Sequence, residues 1–261
     1  MIDRLAWTLS PLALAALLAP APALAQQQPA TTNLQALHGW GFRDSLLGYD
    51  TGNEQLTTLT LNHLSAWRYG DHFAFVDLYR GDLPAQTEAT VYAEWHPRVF
   101  VNRLLGMEGK VLGVFRDLGP AFEVNQGPDF YAYMAGVGGD LALPIPGVVG
   151  VNLYYRYDSV QLLGADVRNH TWQASAFWTL PFALGKAPLV LTGFVDVSGA
   201  SDDSGVDVVA QPQLLVDVLA LAGGPARALW AGVEWSLHYN DLITPDALVS
   251  APQVMLQWTL H

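Results

Sequence analysis

The chain has 261 residues and no cysteine, and its 24 Asp and Glu against 12 Lys and Arg give a formal net charge of -12. So acidic a chain attracts a phosphate backbone weakly, which argues against the binding of nucleic-acid polymers. Hydrophobic residues make up 51% of the sequence and charged residues 14%, a balance that excludes disorder and is unusual for a soluble domain.

The N-terminal residues have the pattern of an export signal. Arg4 precedes an apolar stretch at 5–19, and the Ala-Leu-Ala sequence at 23–25 fits a signal-peptidase cleavage site. The stretch is short for a membrane span and prolines interrupt or bound it, so a retained anchor helix is the weaker alternative. We expect a cleaved signal peptide at 1–25 and one mature domain at 26–261.

Alternation of apolar and polar residues dominates the rest of the chain. It is clearest after residue 87, where Ala93 and Trp95 fall on one face and Glu94 and His96 on the other. Turn residues, chiefly Gly, Pro and Asp, separate about twelve such segments. In chain order the segments are 33–42, 55–67, 72–80, 87–99, 115–126, 129–143, 147–158, 167–180, 188–198, 206–221, 227–240 and 249–260.

The length and composition of these segments favour strands that cross a membrane. A tilted transmembrane strand needs about 9 to 11 residues, and Trp and Tyr gather toward the segment ends, as they do at membrane interfaces. A soluble β-sandwich also alternates, but its polar faces meet bulk water and usually carry more charge than this sequence has. We therefore predict an all-β fold, a transmembrane antiparallel up-and-down β-barrel of about 12 strands.

Strand parity predicts the topology. An even number of strands places both ends of the barrel chain on the periplasmic side, where 68–71 and 144–147 form short turns. The acidic connection at 199–205 then faces outward. Its Asp202 and Asp203, with Asp207, are more typical of a solvated loop than of a calcium site.

Several stretches together resemble the nucleoside-specific channel-forming (Tsx-like) outer-membrane family. In chain order they are LTLNH at 59–63, WRYGD at 67–71, FAFVD at 73–77, AEWHPR at 93–98, YMAGVGGDL at 133–141, which ends in a Leu-Pro turn, and GFVDVSG at 193–199. The resemblance implies a monomeric twelve-stranded barrel in the bacterial outer membrane, with a narrow lumen that passes nucleosides. The strand number agrees with the alternation.

The polar faces of the segments define the candidate lumen. A nucleoside site needs aromatic faces for stacking and carboxylate, amide or guanidinium groups for hydrogen bonds. The side chains of these types on the polar faces are Asn62, Phe73, Phe75, Asp77, Tyr92, Glu94, His96, Arg98, Asn152, Tyr154, Arg156, Phe194, Asp196, Trp230, Glu234 and His238. The alternative is a structural ladder of opposite charges that fills a narrow barrel and selects no solute.

The sequence contains no nucleophile elbow, no His-Glu-x-x-His motif and no Gly-rich phosphate loop, and we predict neither enzymatic activity nor a cofactor or metal. Acidic residues in a lumen disfavour anions, so an uncharged nucleoside is preferred to a nucleotide. The predicted function is an outer-membrane channel for passive, selective uptake of small solutes, with nucleosides as the favoured cargo. A plugged barrel with a structural or surface-recognition role remains open, and so does a soluble exported β-sandwich.

Overall fold

A computed structural model describes residues 30–42, 54–81, 89–107, 109–128, 130–162, 165–199, 205–240 and 247–260. The predicted signal peptide at 1–25 and the acidic pair Asp202 and Asp203 lie outside these ranges. The strands are β1 (Ala30–Phe42), β2 (Glu54–Trp67), β3 (Gly70–Gly81), β4 (Ala89–Val99), β5 (Phe115–Gln126), β6 (Phe130–Leu141), β7 (Val148–Leu162), β8 (Ala165–Leu184), β9 (Ala187–Gly199), β10 (Val206–Ala210), β11 (Gln213–Asp217), β12 (Leu229–Asn240) and β13 (Ala247–Thr259).

Two single-turn helices, α1 (Val101–Leu104) and α2 (Val218–Leu221), lie in connections between strands. Among the described residues, no helix has the length and apolar character to cross a membrane.

The sheet closes on itself. Sequential strands pair antiparallel, and β13 pairs with both β12 and β1, for example through Val233↔Val254 and Leu37↔Met255. The short strands β10 and β11 share one position, because each pairs with β9 on one side and β12 on the other. The fold is therefore a closed antiparallel barrel with 12 strand positions, as predicted.

The segment predicted as one strand at 206–221 is divided, and that prediction was wrong in detail. Pro212 has no N–H to donate to the ladder, so the pairing stops at Ala210 and resumes at Gln213. The strand then ends at Asp217, whose carboxylate accepts a hydrogen bond from Ala220 N at 3.0 Å and caps α2. Val218, predicted to continue the apolar strand face, is a helical residue.

Strand β8 is longer than the predicted 167–180 segment. Its pairing with β9 continues past residue 180 to Leu184↔Ala187. A tight turn at Gly185, which has a φ of 61°, then reverses the chain. The predicted segment ended too early, and Pro181 lies within the hairpin, paired with Val190.

The two ends of the barrel differ in the connections they carry. The turn at 68–69 and the connections at 100–114, 142–147, 185–186 and 218–228 lie at the end where β1 begins and β13 ends. This grouping matches the one expected from an even number of strands. The assignment of this end to the periplasm stays a prediction.

Polarity is inverted relative to a soluble domain. Outward-facing apolar side chains such as Leu153, Tyr155 and Trp258 are 56%, 60% and 60% exposed, whereas inward-facing Glu123 and Gln173 are each 1% exposed. A soluble barrel would place its apolar side chains inside. An apolar outer surface around a closed hydrogen-bonded sheet is suited to lipid, where only helices and closed barrels satisfy every backbone group.

Candidate functional site

The barrel places every predicted lumen residue on its inner face. The pairs Asn62↔Phe75, Phe75↔Glu94 and Asp77↔Tyr92 align inward positions across β2, β3 and β4. In the other strands too, the paired residues place inward positions opposite one another. The predicted residues with inward positions are Asn62, Phe73, Phe75, Asp77, Tyr92, Glu94, His96, Arg98, Asn152, Tyr154, Arg156, Phe194, Asp196, Trp230, Glu234 and His238. A role for them in binding a solute stays a prediction.

A group of ionisable side chains occupies the inner face of β4 and β5. His96 Nε2 lies 2.7 Å from Glu94 Oε2, and His96 Nδ1 lies 3.3 Å from Glu123 Oε2. The hydroxyl of Tyr92 donates to Glu94 Oε1 at 2.5 Å. An imidazole can donate from both ring nitrogens only when it is protonated, so this geometry fits an imidazolium held between two carboxylates.

Strands β7 and β8 extend this group across the barrel. Gln173 Nε2 lies 3.4 Å and 3.5 Å from the two oxygens of Glu123, and Arg156 Nη1 donates to Gln173 Oε1 at 2.5 Å. Arg156 also donates to Asp158 Oδ2 at 2.6 Å. One continuous network therefore joins β4, β5, β7 and β8, and it includes predicted residues together with Glu123 and Gln173, which were not predicted.

Nearer the end that carries α1, Arg98 is the centre of a second ionic group. It makes two hydrogen bonds to Asp71, at 2.8 Å and 2.6 Å, and one to Asp140 at 2.9 Å. The rings of Phe100 and Phe177 flank the guanidinium at 5.0 Å and 4.8 Å. Arg98 is 6% exposed, so both its charge and its carbon stem are enclosed.

Arg103 in α1 and Arg116 at the start of β5 add two more arginines to this ionic group. Arg103 binds Asp117 through Nε and Nη2 at 2.7 Å and 2.6 Å, and Arg116 Nη2 lies 3.1 Å from Asp140 Oδ2. Hydrogen bonding to Asp117 raises the pKa of Arg103. Alternating charges thus line the barrel mouth on this side.

The opposite wall, formed by β11, β12, β13, β1 and β2, is held by amides and aliphatic groups. Glu234 accepts hydrogen bonds from Gln213 at 2.6 Å and Gln253 at 2.7 Å, and Gln35 donates to Gln257 at 2.8 Å. Between these two groups of hydrogen bonds lies an apolar cluster of the inner face, in which Val190 of β9 joins Leu37, Leu215 and Met255, with Trp230 packed against it. This wall contains fewer charges than the wall that carries His96.

Aromatic side chains form a row beside the His96 group. The ring of Phe75 lies 5.9 Å from that of Phe73 and 6.1 Å from that of Tyr92, and Phe73 is 5.9 Å from the His96 ring. Flat faces and hydrogen-bonding groups therefore occur side by side on the inner face of β3 and β4.

The other predicted residues lie beside this row or on other strands. Phe194 pairs with Phe177 across β8 and β9, Asp77 accepts from Thr60 and Tyr79 at 2.5 Å and 2.7 Å, and His238 Nε2 lies 2.7 Å from Asp207 Oδ1. Asp196 is hydrogen-bonded to Ser175 on β8. The predicted list therefore describes a whole inner surface rather than one compact site.

Glu123 is the most informative residue that sequence reasoning missed. It lies between outward Phe122 and Val124, so alternation alone assigns it inward. Gly119 and Pro120 made the 115–126 segment look irregular and hid that signal. Asp71 and Asp140 were quoted within the family resemblance but were not selected, because their strand-end positions did not show that both meet Arg98.

No protein-family model and no curated protein matches the chain. Solved structures with a similar fold include the KdgM porin in complex with disordered oligogalacturonate, with a TM-score of 0.47, 11% identity, and coverage of 88% of this chain and 99% of that one. The NanC porin has a TM-score of 0.48 and 11% identity over 88% of this chain and 100% of that one. The translocator domain of the autotransporter NalP from Neisseria meningitidis has a TM-score of 0.36 and 13% identity over 91% and 90% of the two chains.

Proposed function

We propose that the protein is an outer-membrane channel for passive passage of small polar solutes. The observation that carries the proposal is the inverted polarity of a closed barrel, with Leu153 and Trp258 on the exposed outer face and Glu123 and Gln173 inside. Closure leaves no free sheet edge, so a single chain satisfies its own backbone in lipid. We therefore also propose that the protein works as a monomer.

Within this function, we favour nucleosides as the solute. The Phe73, Phe75 and Tyr92 row offers faces on which a base can stack, and Glu94 with His96 lies next to it for hydrogen bonds to a sugar or base edge. The resemblance to the nucleoside-specific family rests on the quoted residues and points to the same solute class. The carboxylates of this wall disfavour a nucleotide phosphate.

The test of solute choice is block of ionic current by added solute. Adenosine and thymidine should reduce the current through folded protein in a planar bilayer, and adenosine monophosphate should reduce it less. Phe75→Leu should weaken block by the nucleosides, because it removes a stacking face. Phe122→Leu, on the outer surface of β5, is the matched control and should leave block unchanged. Current that is indifferent to both nucleosides would remove the nucleoside assignment.

A second candidate, a barrel with a filled interior and a structural or recognition role, has its own supporting observation. Several large or charged inward side chains are almost inaccessible to water, among them Tyr154 at 2% and Glu234 at 4% exposure. Such a barrel would insert into bilayers and carry no measurable current. Conductance therefore separates the two candidates.

A further inference from the structure

We propose that Glu94, His96 and Glu123 form a binding site for a divalent transition-metal ion inside the barrel wall. Each residue offers one ligand atom, and these atoms all lie within 4.8 Å of one another. The proposal does not depend on the solute, because metal binding is measured without any permeation assay.

The spacing of the three groups suits a metal after a small adjustment. Ligand atoms around zinc lie about 2.0 to 2.2 Å from the ion for imidazole nitrogen and carboxylate oxygen, which brings neighbouring ligand atoms to roughly 3.3 to 3.5 Å from each other. His96 contacts Glu94 through Nε2 at 2.7 Å and Glu123 through Nδ1 at 3.3 Å, and an ion binds only one of these two nitrogens. The ligand atoms of the three residues lie within 4.8 Å of one another, so rotation of the side chains must bring both carboxylates to the same nitrogen of His96.

The rigid sheet holds the ligands in place. Glu94 and His96 are alternate residues of β4 and therefore share its inner face, and Glu123 is on β5, which pairs with β4 through Glu94↔Asn125 and Trp95↔Val124. Tyr92 supports Glu94 by a hydrogen bond, and Gln173 supports Glu123. Hydrogen bonds of this kind orient carboxylate ligands in metal sites.

An unpaired buried oxygen lies next to the three ligands. Asn125 is 5% exposed, its side chain hydrogen-bonds to Glu123, and its Oδ1 has no hydrogen-bond partner among the described residues. A buried amide oxygen left without a partner is costly. It is a suitable further ligand, or an acceptor for a metal-bound water.

The charges of the group are also balanced by a metal ion. Glu94 and Glu123 place two carboxylates around the imidazole of His96. A divalent ion offsets their negative charge while the neutral imidazole binds it through one nitrogen. An imidazole nitrogen among the oxygen ligands favours zinc over magnesium or calcium.

Calorimetric titration of detergent-folded, chelator-treated protein with zinc chloride tests the proposal. We expect one ion bound per barrel. His96→Gln and Glu123→Gln should each weaken binding by about tenfold or more. Calcium chloride should bind much more weakly than zinc chloride. Electrophoresis of unheated samples checks whether each variant keeps the folded form. If either variant does not fold, Glu94→Gln is tested in its place.

His63→Gln is the matched control. His63 lies on the outer face, where it meets Thr32 at 2.8 Å and the ring of His72 at 5.5 Å. Zinc affinity unchanged in this variant supports the interior site. Loss of binding in His63→Gln, equal affinity in His96→Gln and wild type, or no binding of zinc by wild type would each overturn the proposal.

Discussion

Both walls of the barrel interior bury their inward side chains, but different interactions hold the side chains in place on each wall. On the wall from β3 to β9, ion pairs such as Arg98–Asp71 at 2.6 Å join neighbouring strands. On the wall from β11 to β2, neutral hydrogen bonds such as Gln35 to Gln257 at 2.8 Å and an apolar cluster do the same. The comparison shows that an inward position is enough to bury a side chain. The partner of that side chain decides how much a substitution lowers the free energy of unfolding.

The largest difference between the walls should appear when a buried cation is removed. Arg98→Met leaves Asp71 and Asp140 without their shared partner, and breaking a buried ion pair in this way costs about 3 to 5 kcal/mol. Urea unfolding of the detergent-folded barrel should show the loss. The triple variant Arg98→Met, Asp71→Asn, Asp140→Asn should recover a good part of it, and a triple variant no more stable than Arg98→Met would contradict this account of the ionic wall.

The outer face provides the next test, because there the two walls should behave alike. Leu153 on the ionic side and Val254 on the amide side are 56% and 51% exposed and lie near the middle of their strands. Arginine at either position should destabilise the inserted barrel by about 2 to 4 kcal/mol, as expected for a lipid-facing strand. The free energy of unfolding is measured in lipid vesicles. A neutral effect at both positions would show that this surface does not face lipid.

Steric support of Arg98 should have a smaller effect than its charge. A Cβ atom on Gly150 would lie 2.0 Å from the Phe177 ring, so Gly150→Ala must displace the ring that flanks the guanidinium. We expect a loss of about 1 to 3 kcal/mol in the free energy of unfolding. At Gly127 the nearest atom to a new Cβ is 3.5 Å away. Gly127→Ala is therefore the control, and equal losses in the two variants would contradict the packing argument.

The smallest effect is expected on the amide wall. In Glu234→Gln the oxygen of the new amide still accepts from Gln213. Its NH2 group faces Gln253 Nε2, and a flip of the Gln253 amide lets it donate to Gln253 Oε1, which has no hydrogen-bond partner among the described residues. The free energy of unfolding should therefore change by about 1 kcal/mol or less. Glu123→Gln takes a charged partner from His96 and should cost more. The reverse order in urea unfolding would remove the distinction between the walls.

Much of the fold was predictable because strand alternation has a fixed period. The alternation in 88–99 and in the other segments predicted a closed barrel with about twelve strands. It also predicted the inward placement of side chains such as Tyr92 and Glu234. The long β8 was missed, since its extent depends on pairing with β9 rather than on local pattern. The break at Pro212 was also missed, because the apolar and polar alternation continues across a proline that cannot donate to the ladder.

The site was less predictable, because periodicity gives the face of a side chain and not its partner. Arg98 was assigned inward from sequence, but its contact with Asp140 depends on a register across three strands. Likewise, Glu94 and His96 are neighbours in sequence, whereas Glu123 reaches them only through the pairing of β4 with β5. Contacts between residues of different strands depend on how the closed sheet pairs those strands.

Single-channel recording of the detergent-folded protein in a planar bilayer tests the central claim most directly. A channel lined by the two walls predicts discrete current steps, altered in size or ion selectivity by Arg98→Ala or Glu234→Ala in variants that remain folded. Correctly folded and inserted protein that carries no current would contradict the channel and support a filled barrel.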